Sequence, residues 1–197
     1  MTALEPFLRA TAVVDWEEPA VVSLAHTLAR GQMQQADVAR ACFEWVRDEV
    51  PHTSDHRLET VTCTASHVLK ERTGFCYAKS HLLAALLRAN RIPAGFVYQR
   101  LALDDRGSTF CLHGLNAVWL PDVGWYRIDP RGNREGLRAA FNPPQEALPF
   151  PCVAPGEQAF PGVWPDPLPA VIDALQRYRT RTALEAHLPD ATELGAP

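Results

Sequence analysis

From Cys76 to Ala89 the chain reads Cys-Tyr-Ala-Lys-Ser-His-Leu-Leu-Ala-Ala-Leu-Leu-Arg-Ala, a segment that belongs at the centre of a fold. Ala and Leu favour a helix, and Leu82, Leu83, Leu86 and Leu87 form one apolar stripe while Ala84, Ala85 and Ala89 soften the opposite face. Such a helix is expected to be buried on most sides. Thr73 and Gly74 punctuate its start, and Pro93 bars its continuation. Cys76 therefore falls in the first turn, where unpaired N–H groups and the helix dipole favour a thiolate and offer donors to an oxyanion. On that ground alone it reads equally as a small buried hydrophobe, as most free cysteines do.

Downstream residues change the balance. His113 heads a strand-like run through Leu120, Pro121 to Gly124 form a turn, and Trp125 to Ile128 form a second run ending at Asp129-Pro130. A cysteine at a helix start, then a histidine and an aspartate on neighbouring strands, are the parts that an activated thiol nucleophile needs. Strand geometry adds a condition. Side chains alternate with period two, so a two-residue loop at Asp122-Val123 would set His113 and Asp129 on opposite faces. A loop of three or five residues places Asp129 opposite Leu115 and diagonal to His113, at about 7–8 Å between backbones.

Gly74-Phe75-Cys76, the helix ending Leu86-Leu87-Arg88 before Ile92-Pro93-Ala94, His113 leading a strand, and Trp125-Tyr126-Arg127-Ile128-Asp129-Pro130 together resemble the transglutaminase-like superfamily. That papain-related group includes transglutaminase-like cysteine proteases of bacteria. The resemblance runs from about Trp45 to Pro130. It implies an α+β fold with a papain-like core, the cysteine helix packed on an antiparallel sheet, N-terminal helices before it and a C-terminal helix after. It also implies Cys76 as nucleophile, His113 as base and Asp129 as its support, with no metal or organic cofactor. The family usually has Gly before Ile-Pro-Ala and Arg after it; this chain has Arg91 and Gly95, which predicts a different substrate-facing wall.

A length of 197 residues with 47% hydrophobic content suits one domain, with a core over about 34–141 and an appended 142–197. A net charge of −4 argues against nucleic acid, and no run reaches the length of a membrane span. The stretch from Met1 to Trp16 lacks the pattern of a signal peptide. Five irregularly spaced cysteines (Cys42, Cys63, Cys76, Cys111 and Cys152) fit a reducing cytoplasm.

Other features compete for attention. Helices are expected over Glu17–Arg30, Gln34–Val50 and Thr62–Glu71, and a terminal one over Leu168–His187 through Val171, Leu175, Tyr178 and Leu184. Gly95 to Leu103 and Thr109 to Leu120 read as strands around a turn at Asp104 to Ser108. Cys42 lies on an apolar stripe and reads as core; Cys63, near a helix start, is the rival nucleophile. His52, Asp55 and His56 read as a solvated loop, and Cys111-x-His113 lacks the second pair that zinc needs. Ser80 and His81 point about 100° apart on a helix and do not form a pair. Nine of the 17 prolines fall between Asn142 and Pro169, an ordered wrap that can line the cleft.

The expected chemistry is thiol acyl transfer on a peptide, protein or small amide substrate, with the N–H of Cys76 as oxyanion donor. Tyr98, Gln99 and Asn116 are candidates for a second donor. Release by water gives a peptidase or amidase and release by an amine gives a cross-linker; a silent binding protein of the same fold is the alternative of another class. Arg127, Arg131 and Arg134 lie close to Asp129 in sequence, so at least one is expected at the cleft rim.

Overall fold

The computed structural model describes residues 3–104 and 107–197. Met1 and Thr2, and Asp105 and Arg106 of the expected turn, lie outside the described residues. Three helices, α1 (Pro19–Ala29), α2 (Gln35–Glu49) and α3 (Ala65–Glu71), precede α4 (Cys76–Ala89). Strands β1 (Ala94–Ala102), β2 (Phe110–Leu120) and β3 (Gly124–Ile128) follow, then the two-residue β4 (Gln158–Ala159) and helices α5 (Pro169–Arg177) and α6 (Arg181–Glu185). The sheet is antiparallel with order β3-β2-β1-β4. This is the expected α+β, papain-like arrangement.

Helix α4 lies at the centre, as its composition requires: every residue from Cys76 to Arg88 is buried. It packs on α1, α2, α3, β1 and β2. One apolar cluster takes in residues from Val13 to Leu184, and a smaller one of Val97, Leu115 and Ala117 lies on the other face of the sheet. Two charged side chains are buried along α4, each with carbonyl partners. Arg88 donates to Ala94 O, Arg9 O and Pro165 O, joining the helix end to β1 and to the proline-rich segment. Lys79 donates to Arg47 O and Val50 O, which caps the C-terminal end of α2.

Two expectations need correction. The terminal helix is two helices: Tyr178 is extended, Thr180 caps α6 by accepting from Ala183 N, and Thr180 also bridges to Thr60. A β-branched residue that can cap and pair across the fold ends α5 there. The departures at Arg91 and Gly95 lie away from the cleft wall, since neither residue borders the cavity at Cys76. Arg91 takes the left-handed turn after α4 at φ 59°. A Cβ on Gly95 would stand 2.5 Å from Val163 and 2.8 Å from Trp164 O, so glycine there admits the proline-rich segment. That segment is the expected wrap: it pairs Trp164 with Phe96 and adds β4 to the edge of β1.

Candidate active site

The first turn of α4 is brought onto β2 by a missing side chain. A Cβ on Gly114 would lie 2.9 Å from the Tyr77 ring, and the Tyr77 hydroxyl donates to Leu112 O. Contacts on both sides of His113 thereby fix its distance along the strand from the start of α4. No side chain caps that start, since Phe75 holds the N-cap position, so the first-turn N–H groups keep their donor capacity.

The loop between β2 and β3 meets the parity condition. Leu120 pairs with Gly124 across a three-residue loop, and the ladder ends at Asn116 and Ile128. One further step sets Asp129 beside Leu115, diagonal to His113. His113 Nε2 and Asp129 Oδ2 are 2.6 Å apart, and both side chains are almost wholly buried. The other oxygen, Oδ1, accepts from Arg131 N at 2.9 Å. Burial pulls the His113 imidazole down, but the charge of Asp129 and then that of Cys76 outweigh it and push it up to about 10. Both charges favour the protonated imidazole.

Cys76 and His113 border one cavity of about 230 Å³. At the other cysteines burial works against the thiolate. Burial pushes Cys42 and Cys111 up to about 12, and burial with the nearby charge of Asp15 pushes Cys63 up to about 11. Cys63 also precedes the cap of α3, Thr64, so it is outside the first turn. Burial, chiefly, raises Cys152 as well. Cys111 borders the cleft beside Cys76.

None of the three candidates for a second oxyanion donor borders the cavity at Cys76. Tyr98 OH accepts from Leu168 N; Asn116 Nδ2 donates to Ser80 O and Gly95 O; Gln99 Nε2 donates to Phe150 O. Ser80 donates to Cys76 O and Gly114 O, while His81 Nδ1 meets Cys63 O, so those two do not pair.

His52 is the residue that the sequence misplaced. It is buried, not solvated, forms a bridge with Gly74, packs edge-on to Phe75 and borders the cleft. Its Nδ1 is buried without a hydrogen-bond partner and stands 3.9 Å from Asp55 Oδ1. Asp55 itself is gripped by Arg131 at 2.6 and 2.8 Å. The side chain of Phe150, on the wrap, meets His113 edge to face at 4.9 Å between ring centroids and carries Arg131 on its own ring. Leu101, Leu103 and Leu188 complete an apolar wall. Of the three arginines near Asp129, Arg131 and Arg134 border the cleft; Arg127 is paired with Glu146 at 2.6 Å instead.

Among the described residues no helix is long and apolar enough to cross a membrane. All five cysteines are free. A family model described as the transglutaminase-like superfamily matches residues 22–130. The fold is similar to that of a "putative cysteine protease" from Cytophaga hutchinsonii, at TM-score 0.52 and 21% identity over 66% of this chain and 43% of that one. The periplasmic domain of TgpA from Pseudomonas aeruginosa aligns at TM-score 0.49 and 22% identity, over 63% of this chain and 45% of the other. The chain spans less than half the length of either structure. No curated protein matches it. With the family model covering more than half of its length, the chain belongs to the transglutaminase-like superfamily.

Proposed function

We propose that Cys76, His113 and Asp129 act as a thiol acyl-transfer triad that hydrolyses a peptide or amide bond. The observation that carries this reading is the buried His113–Asp129 contact of 2.6 Å opening on the same cavity as Cys76 at an uncapped helix start. The uncapped helix start and the raised imidazole beside it favour transfer of the Cys76 proton to His113 Nδ1 as the reaction begins.

The Cys76 sulfur attacks the carbonyl carbon, and the oxygen takes up negative charge facing the N–H of Cys76. His113 gives its Nδ1 proton to the leaving amine nitrogen as the C–N bond breaks, which leaves a thioester on Cys76. Asp129 keeps Nε2 protonated, so the freed Nδ1 can take a proton from water attacking the thioester. The carboxylic acid departs and the thiolate–imidazolium pair is restored. No metal or organic cofactor enters these steps. The cationic side chains at the rim disfavour a protonated amine as acceptor, which favours water. Five free cysteines support a reducing compartment, the cytoplasm.

The test is a screen of amide probes with and without added primary amine, comparing the wild type with Cys76→Ala by mass spectrometry. Hydrolysis predicts that the acid dominates at every amine concentration and disappears in the variant. An amine adduct that grows in proportion to added amine would replace hydrolysis by amine transfer. A Cys76 that forms no acyl adduct and reacts no faster than a free thiol would leave a binding protein of this fold.

A further inference from the structure

Outside the Cys76–His113 pair, the charged side chains that border the cleft are of one sign. In a chain of net charge −4, the described residues bordering it include Arg131 and Arg134 but no aspartate or glutamate. The two nearby carboxylates stand behind this surface and are already engaged. Asp129 holds His113 and the Arg131 N–H, and Asp55 receives both ends of the Arg131 guanidinium.

Arg134 is left over. It approaches Asp55 at 3.7 Å, beyond hydrogen-bond distance, and its side chain is 56% exposed. No side-chain hydrogen bond holds its guanidinium among the described residues, whereas its backbone is fixed in a turn by reciprocal bonds with Leu137. A second cavity, of about 270 Å³, adjoins the first and shares His52, Arg131 and Arg134 with it. Around that second cavity Arg47, Arg131 and Arg134 face Asp48 and Asp55, and the first two arginines are each paired bidentately to an aspartate. One guanidinium remains without a carboxylate of its own, at the junction of the two cavities. Its planar fork is suited to a carboxylate.

We propose that Arg134 binds a carboxylate on the substrate, so that the acyl donor is an amide or ester bearing an anionic group a few bonds from the carbonyl that Cys76 attacks. The apolar wall of Leu101, Leu103 and Leu188 takes the hydrocarbon between the two. This rests on the triad reading for the turnover, but the charge at Arg134 can be tested without it.

The first probe is a pair of alkylating reagents of nearly equal shape, iodoacetate and iodoacetamide. In both, the Cys76 sulfur forms a C–S bond as the C–I bond breaks and iodide leaves; only iodoacetate is charged. The ratio of the iodoacetate rate to the iodoacetamide rate at Cys76, read by mass spectrometry, should exceed that of 2-mercaptoethanol in the same buffer. Arg134→Gln should lower the ratio by about threefold to tenfold, Arg134→Lys should retain most of it, and Arg134→Glu should drop it further. Salt should shrink the wild-type excess. Arg127→Gln, whose partner is Glu146, should leave the ratio as it is. Melting curves exclude unfolded variants.

The second probe is hydrolysis of the mono-p-nitrophenyl ester of glutaric acid against p-nitrophenyl pentanoate. Wild type should prefer the acid ester in kcat/KM, and Arg134→Gln should erase the preference. Peptides with an internal glutamate and an amidated end, set against peptides with a free C-terminus, separate a side-chain carboxylate from a terminal one. An alkylation ratio that is the same in wild type and Arg134→Gln, or that falls equally in Arg127→Gln, overturns the proposal. An Arg134-dependent ratio with no turnover of any ester upholds the anion site and sinks the triad reading.

Discussion

Two histidines border the cleft, each near an aspartate, and they have opposite characters. His113 meets Asp129 at 2.6 Å and is raised to about 10; His52 stands 3.9 Å from Asp55 and is held well below its ordinary value, by burial first and then by the charge of Arg131. Burial opposes the charged form in both. The difference lies in what else holds the carboxylate. Asp129 spends one oxygen on the Arg131 backbone N–H and gives the other to the imidazole. Burial works to raise the Asp55 carboxyl, but both its oxygens accept from the Arg131 guanidinium, which with Arg134 keeps it below the usual range. His52 thus meets a more distant carboxylate and the charge of Arg131, whereas His113 meets a carboxylate at hydrogen-bond distance.

The sharpest way to break that contrast is to remove each acid in turn. Asp129→Asn should cut turnover by about 10⁴-fold with the fold retained, because the amide supports the wrong tautomer. Asp55→Asn should lower turnover much less, and Asp122→Asn, in the β2–β3 turn, should leave it close to wild type. Equal losses at Asp129 and Asp55, measured with melting temperatures alongside, would reduce Asp129 to a structural role.

The pH dependence follows from the sign of the shift. His113 rises from an ordinary 6.5 to about 10 on folding, so its contribution to stability is complete below 6.5 and is lost as pH climbs towards 10. The alkaline limb of turnover should lie in the same window, since the imidazolium is what protonates the leaving amine. In Asp129→Asn the largest raising influence is gone, so both the limb and the loss of stability should move to lower pH. A limb that stays in place would mean that another group sets it.

Smaller effects separate the two histidines. Limiting iodoacetamide at neutral pH should modify Cys76 ahead of the other four cysteines, and His113→Ala should slow that reaction strongly while His52→Ala changes it little. Labelling that favours Cys63 would move the nucleophile. Smallest of all, His52→Phe removes an orphaned buried nitrogen and keeps a ring against Phe75, so stability should change by no more than about 1 kcal/mol, in either direction. A large loss would reveal a partner for Nδ1.

Much of this arrangement is legible in the chain because it depends on local rules. The bounds of α4 follow from its composition, Gly74 and Pro93. The register that joins Asp129 to His113 follows from strand parity once the loop is odd. What escapes is non-local. Nothing near His52 announces that Thr53 N will donate to Gly74 O and that the Thr53 and Thr73 hydroxyls will meet, yet those bonds draw the loop into the interior. Periodicity also ran Tyr178 and Leu184 into one helix, because the pairing of Thr180 with Thr60 lies across the whole fold.

The wrap gives the site an order of assembly. A chain made from its N-terminus delivers Cys76, His113 and Asp129 before Phe150 and long before Leu188, the side chains that wall the cleft around them. The sulfur and its imidazole are therefore in existence while the apolar wall is still being synthesised. For that interval the Cys76 sulfur faces water from more sides than it does in the finished molecule. A fragment ending before the wrap would carry all three residues yet lack the surface that selects what reaches them.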